Sequence, residues 1–366
     1  MSANKIIEVF RPVIYDDSIE QAVAVLRSGW IGAGKMIEQF EEKFSKYTGS
    51  KYCVAVNSGT SALHVAVRCL KLPKGSNVIT TPITYVSGIH AIMYEQCAPT
   101  LADVDRRTGN ISVEKVEEKL KKQSRAILCN HVGGYPCDLD ELRELANTRG
   151  IPVVEDCAHA IGSIYKGRRV GDGTLCCFSF SFPKPVTGID GGAIVTNDPE
   201  YAERARILRN LGIQKAKEDI PEGKRLRVKE IGLRYNWNDV MASIALKQLD
   251  HVEQDNRRRK QIAERYLSTL SSVDGVYTPT YGTDRISSYF FLPLFFKRRD
   301  ALARKLYRHG VRSKIYFSRV NACYLNKRER LPNADWYGRH ELTLPINVHI
   351  TDEEIEYVTK IVRSGW

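Results

Sequence analysis

Between about residue 50 and residue 200 the chain alternates between two textures. Short apolar, β-rich runs ("KYCVAV", "NVITTP", "PTLADV", "RAILCNH", "PVVEDC", "TLCCFSF" and "GAIVTN") are separated by helix-length stretches such as "SALHVAVRCLKL" and "DLDELRELANTRG". Strands that are apolar throughout, rather than at every second position, are buried on both faces. Strands joined through helices run mainly parallel. The pattern predicts a large α/β domain on a seven-stranded, mainly parallel sheet covered by helices.

After about residue 235 the pattern changes. "NDVMASIALKQLDHVEQDNRRRKQIAERYLSTL" keeps helical periodicity for some thirty residues, long enough to bridge two domains. A Tyr/Phe-rich strand signal ("SSYFFLPLFF"), a helical run ("DALARKLYRHG") and a closing helix ("TDEEIEYVTKIVRSG") follow. We expect a large domain over residues 1–240 and a smaller α+β domain over 241–366, entered by the long helix. The segment "QKAKEDIPEGKRLRVKE", residues 214–230, is polar and broken by Pro and Gly, and reads as a mobile surface loop.

Composition narrows the class. The 366 residues are more than one core holds, since single cores stop growing at roughly 250–300 residues. No apolar run reaches the ~18 residues of a membrane span, and "MSANKIIEVFRP" has no apolar signal segment, so a cytoplasmic protein is expected. Nine cysteines with no C-x-x-C pair read as reduced core thiols rather than metal ligands. The net charge of +12 is scattered, and "RRRK" at 257–260 sits in a Glu/Gln/Asp-rich helical pattern. No basic stripe interleaved with aromatics appears, which argues against nucleic acid; a basic balance also suits an anionic small substrate, and charge alone does not decide.

Ligands of parallel α/β sheets bind beyond the carboxyl ends of the strands, and chemistry collects there. "VAVNSGTSALHVAV" puts Ser58, Gly59, Thr60 and Ser61 at a helix N-terminus, which is either an ordinary cap or a phosphate site. "PVVEDCAHAIG" ends a strand on Glu155 and Asp156, followed by His159. Asp156 there either caps a helix or pairs with a protonated ring nitrogen; His159 on its own is more often packed than catalytic. Tyr85, just past "NVITTP", could stack on a planar ligand or pack in the core. In "FSFSFPKPVTGIDGG", Lys184 follows an apolar strand and stands between Pro183 and Pro185. Desolvation there would favour the free amine that attacks a carbonyl, whereas a surface loop would leave an ordinary lysine. Together these groups ask for a planar, phosphorylated ligand with a ring nitrogen to protonate and an aldehyde for a lysine. Pyridoxal phosphate meets all four demands.

At this point the chain resembles the DegT/DnrJ/EryC1/StrS family of pyridoxal-phosphate sugar aminotransferases, from "LRSGWIGAGKMIEQFEEKF" to "LTLPINVHITDEEIEYV". "NSGTSALH", "TPITYVS", "VEDCAHAIG", "FSFSFPKPVTGIDGGAIVTND" and "RYNWNDVMASIALKQL" carry the likeness. The resemblance implies a fold type I pyridoxal-phosphate transferase. It implies Lys184 as the Schiff-base lysine and proton shuttle, and Asp156 as the partner of the pyridine nitrogen. His159 falls where Gln or His lies near the cofactor face, and Tyr85 where an aromatic stacks on the ring. Gly59, Thr60 and Ser179 would bind the phosphate, joined by Asn236 from a neighbouring subunit, so that a homodimer shares its active sites.

The implied reaction moves an amino group from glutamate, which leaves as 2-oxoglutarate, to a nucleotide-linked keto sugar. The acceptor would be a 4-keto-6-deoxy or 3-keto sugar, aminated for a surface polysaccharide or a glycosylated metabolite, with pyridoxamine phosphate formed between the two halves. His131, Arg319 and the 214–230 loop are candidate substrate contacts. Two other readings are a transaminase for a free keto sugar, ketocyclitol or ketose acid, and a non-catalytic regulatory protein on the same fold. The chain departs from the family at Pro183 and Pro185, at Ile189 where Gly is frequent, and at Arg234, where many members carry Asn. Lys184 argues against the dehydratase branch, in which His replaces this lysine.

Overall fold

Alternation along "FSFSF" sets the geometry of the site strand. Phe178 and Phe180 point to one face, where they meet Phe44 edge-on at 5.0 and 5.2 Å. Phe180 also stacks on Trp237 at 5.7 Å. Ring pairs of this kind add about 0.5–1.5 kcal/mol each beyond burial, so the register of the strand is held firmly. Cys177 and Ser179 are thereby turned to the opposite face.

A computed structural model describes residues 6–214, 227–320, 325 and 329–366. Its main sheet contains β1 (Tyr52–Val56), β2 (Asn77–Thr80), β3 (Ala98–Leu101), β4 (Ser124–Asn130), β5 (Val153–Asp156), β6 (Leu175–Ser179) and β7 (Gly192–Thr196). The spatial order is β1-β7-β6-β5-β4-β2-β3. The pairs β2/β3, β2/β4, β4/β5 and β5/β6 are parallel, and β7 runs antiparallel between β1 and β6. These are the seven strands that the apolar runs predict. Helices pack on both faces, and Phe40 and Phe44 of the helix Lys35–Thr48 are wholly buried.

The helix Asp239–Leu270 has 32 residues and starts from an Asn238 cap that accepts the Met241 N–H at 2.9 Å. Its first half, through Ala242, Ala245, Leu249 and Val252, belongs to a core beside the large sheet. Its second half, through Ile262, Ala263, Tyr266 and Leu270, belongs to another core. That core also receives a three-stranded antiparallel sheet of Val276–Tyr277, Pro293–Phe296 and Glu341–Thr343. The strand signal "SSYFFLPLFF" shortens to Pro293–Phe296. Most of the 214–230 segment lies outside the described residues; its two ends, Ile213–Gln214 and Arg227–Val228, pair antiparallel. The eight described cysteines are buried free thiols.

Candidate functional site

The carboxyl ends of β4, β5 and β6 open onto a cavity of about 370 Å³. Lys184 enters it from the turn after β6. The Lys184 N–H bonds the Ser181 carbonyl at 2.8 Å, and the Gly188 N–H bonds the Phe180 carbonyl at 2.9 Å, closing the bend. Ile189 takes φ +72°, the left-handed region that suits glycine, which accounts physically for the Gly frequent at this place in the family. The Lys184 ammonium lies 4.5 Å from the centroid of the Phe290 ring. Burial, countered by the Asp156 carboxylate and reinforced by Lys314, lowers its pKa to about 7. A large share of this lysine is therefore a free amine at neutral pH.

Asp156 closes β5 and is 7% exposed. Its Oδ1 accepts the Ala158 N–H at 3.0 Å. Burial raises its carboxyl pKa, while that N–H, Lys184 and His131 pull the other way. A protonated ring nitrogen would supply the counter-charge this buried carboxylate lacks. His159 is stacked between Phe290 at 4.7 Å and Phe317 at 5.5 Å. Burial, aided by the nearby cations, holds it well below the ordinary histidine range, so the imidazole is neutral.

An anion cradle forms the third side. Ser58 caps the helix Gly59–Cys69, accepting the Ser61 N–H at 3.1 Å. Among the described residues the N–H groups of Gly59 and Thr60 have no acceptor, which leaves them for a phosphate. Ser179 and Ser181 add hydroxyls 3.0 Å apart. A Cβ on Gly59 would sit 2.7 Å from Ser179 Cβ, so only glycine allows this approach of helix to strand. Asn130 Oδ1 is buried and unpartnered at the cavity wall. A free-amine lysine, a counter-charge for a ring nitrogen and a phosphate cradle thus face one space, and these residues fit pyridoxal phosphate.

Tyr85 also lines the cavity and is 65% exposed. Asn236 is not on this wall. Its Nδ2 donates to Asn210 Oδ1 at 2.9 Å, beside a separate cavity of about 1600 Å³ bordered by Trp30 and Trp237.

His131, expected to touch substrate, is instead fully enclosed behind the site. Its Nδ1 accepts the Cys137 N–H at 3.1 Å, and its Nε2 lies 3.4 Å from Glu155 Oε2. Burial opposes its charge, but Cys137 and Glu155 outweigh burial and raise it to about 9. Arg143 holds Glu155 at 2.8 Å, so a metal beside His131, Glu155 and Cys157 would meet a carboxylate already neutralised. Arg319 pairs with Asp335 at 3.3 Å and does not line the cavity. Sequence reasoning missed Lys314, Tyr316, Phe317 and Phe290. They come from the C-terminal part of the chain, where only an aromatic-rich strand signal marked the region.

A lysine poised as a free amine beside a phosphate cradle, at the strand ends of an open α/β sheet, defines an enzyme that works through a phosphorylated carbonyl cofactor. The comparisons narrow this class. The chain belongs to the DegT/DnrJ/EryC1/StrS aminotransferase family, matched over residues 12–363, and is an aminotransferase dependent on pyridoxal phosphate. It is 34% identical to the aminotransferase TlmJ of Streptoalloteichus hindustanus, covering 98% of each chain at a TM-score of 0.91. It is 29% identical to the sugar aminotransferase CalS13 of Micromonospora echinospora, covering 99% of this chain and 100% of that one at a TM-score of 0.93. Protein MJ1066 of Methanocaldococcus jannaschii, an uncharacterized protein, is 32% identical over 97% of this chain and 96% of its own length.

Proposed function

We propose that this enzyme transfers the amino group of glutamate to a nucleotide-linked keto sugar, a 4-keto-6-deoxy or 3-keto sugar, in amino-sugar biosynthesis. The observation that carries the reading is the shared cavity: Lys184, brought near neutrality, faces Asp156 and the Gly59/Thr60/Ser179 cradle. The likeness to CalS13, a sugar aminotransferase, supports a sugar acceptor. The net charge of +12 suits the diphosphate of a nucleotide sugar.

When bound, pyridoxal phosphate supplies a carbonyl carbon for amines and a ring that takes up the electron pair released at the α-carbon. The Gly59 and Thr60 N–H groups and Ser179 would hold its phosphate, and Asp156 would keep the proton on its ring nitrogen. The Lys184 amine removes the α-proton of glutamate and later delivers a proton to the carbonyl carbon of the sugar, acting as base and then as acid. Neutral His159 and the exposed Tyr85 line the same cavity and would lie beside the cofactor. Glutamate and keto sugar go in; 2-oxoglutarate and amino sugar come out.

In this reading Asn236 serves the phosphate of a second copy, so each site of a homodimer needs both chains. The exposed Trp30, which borders the large cavity together with Asn236, supports such a contact. We also divide the chain at residue 240, where the long helix begins. No described helix is long and apolar enough to cross a membrane, which agrees with a cytoplasmic enzyme.

The test is product analysis. Purified holoenzyme with glutamate is offered matched panels of nucleotide-linked and free keto sugars, and 2-oxoglutarate is followed. Turnover is expected with a nucleotide-linked acceptor. Turnover confined to free keto sugars would overturn the substrate assignment.

A further inference from the structure

A second lysine stands at the mouth of the Lys184 cavity. Lys314 is exposed and lines that cavity. Its ammonium lies 4.9 Å from the Tyr316 ring and 5.7 Å from the Phe10 ring. Phe10 in turn stacks on Phe290 at 5.3 Å, and Phe290 carries the Lys184 ammonium. The two lysines therefore contact one aromatic cluster.

The backbone of Lys314 is clamped in both directions. Its N–H bonds the Thr343 carbonyl at 3.0 Å, and the Thr343 N–H bonds its carbonyl at 2.8 Å. Cation–π contact and a paired backbone aim the charge at the cavity. Among the described residues no carboxylate pairs with Lys314. The nearby acids are engaged: Glu341 accepts the Tyr316 N–H at 2.9 Å, and Asp156 faces Lys184. A substrate without an anionic group at this point would leave the Lys314 ammonium without a carboxylate partner.

We propose that Lys314 is a specificity-determining residue that holds a carboxylate of the reacting substrate, that of the amino donor or that of an acidic keto sugar. The inference rests on the aminotransferase reading of the cavity. An ammonium–carboxylate bond in a partly enclosed site changes affinity about 10- to 100-fold.

The experiment compares wild-type holoenzyme with Lys314→Met and Lys314→Arg. Calorimetry measures binding of glutarate, a donor analogue without the amine, and of UDP-glucuronate against UDP-glucose. Lys314→Met is expected to weaken at least one acidic probe by about 10- to 100-fold, with Lys314→Arg restoring most of the affinity. Loss confined to glutarate assigns the donor carboxylate. Loss confined to UDP-glucuronate, with UDP-glucose unchanged, assigns an acidic sugar. Equal affinities of wild type and Lys314→Met for both acidic probes overturn the inference, as does wild type that binds neither. The visible absorbance of the bound cofactor and its change with glutamate report on the site reading separately. Wild type lacking both fails that reading, whereas active wild type matched by Lys314→Met in binding fails only the inference.

Discussion

Replacing Lys184 by Met keeps an apolar stem in the cavity and removes its titration. The native lysine is shifted from 10.5 to about 7, chiefly by burial. A lysine whose native value is depressed costs stability wherever it must stay charged. Below pH 7 it is protonated in both folded and unfolded chains, and the whole cost is present, at most about 5 kcal/mol because the cavity admits water. Between the two values the unfolded chain holds a proton that the native chain has lost. Stability of the wild type then rises with pH by up to about 1.4 kcal/mol per unit. The variant has no such slope. Urea unfolding of the cofactor-free proteins at about pH 6.5 and about pH 9 reads the difference. The Met variant should be the more stable at the lower pH, and its advantage should shrink by about 2–3 kcal/mol at the higher one. An advantage that does not change with pH would mean a solvated lysine, and would refute the argument that burial prepares the amine.

Two further outcomes bear on the phosphate end of the site. Gly59→Ala pushes a Cβ to 2.7 Å from Ser179 Cβ, so helix and strand must part. Equilibrium dialysis should show cofactor affinity lowered at least about 10-fold, with the melting temperature lowered by about a few degrees by the overpacking, and unchanged affinity would remove Gly59 from the cradle. Asn236→Ala and Lys184→Ala should each be inactive alone. Mixed under conditions of subunit exchange, they should recover about a quarter of wild-type activity, because half the dimers carry one intact site; no recovery would place Asn236 outside the partner's site.

How legible the site was depended on how far its residues lie from one another in sequence. Lys184, Asp156, Gly59 and Ser179 each sit one short turn from, or on, an apolar strand, and parallel strands bring their carboxyl ends to one edge. Knowing the strands was enough to bring these residues together. His131 also follows a strand end, β4, yet it turns inward to Glu155 and leaves the cavity wall to Asn130. A change of one residue at a strand end reverses the side on which a side chain emerges, and the strand pattern alone does not say where the turn begins. Arg319, a candidate substrate contact by sequence, pairs instead with Asp335.

The apolar runs themselves determined the seven strands, the helices between them and the long helix, because burial on both faces imposes a composition that can be read locally. The phosphate turn and the lysine turn were equally local. Only the tertiary structure decided which C-terminal residues close the cavity. Lys314, Tyr316 and Phe317 reach Lys184 across more than a hundred residues of chain, through a small sheet packed at the far end of a 32-residue helix. Nothing near them in the chain records that contact, since a cavity wall is set by how two cores dock and not by the periodicity of either.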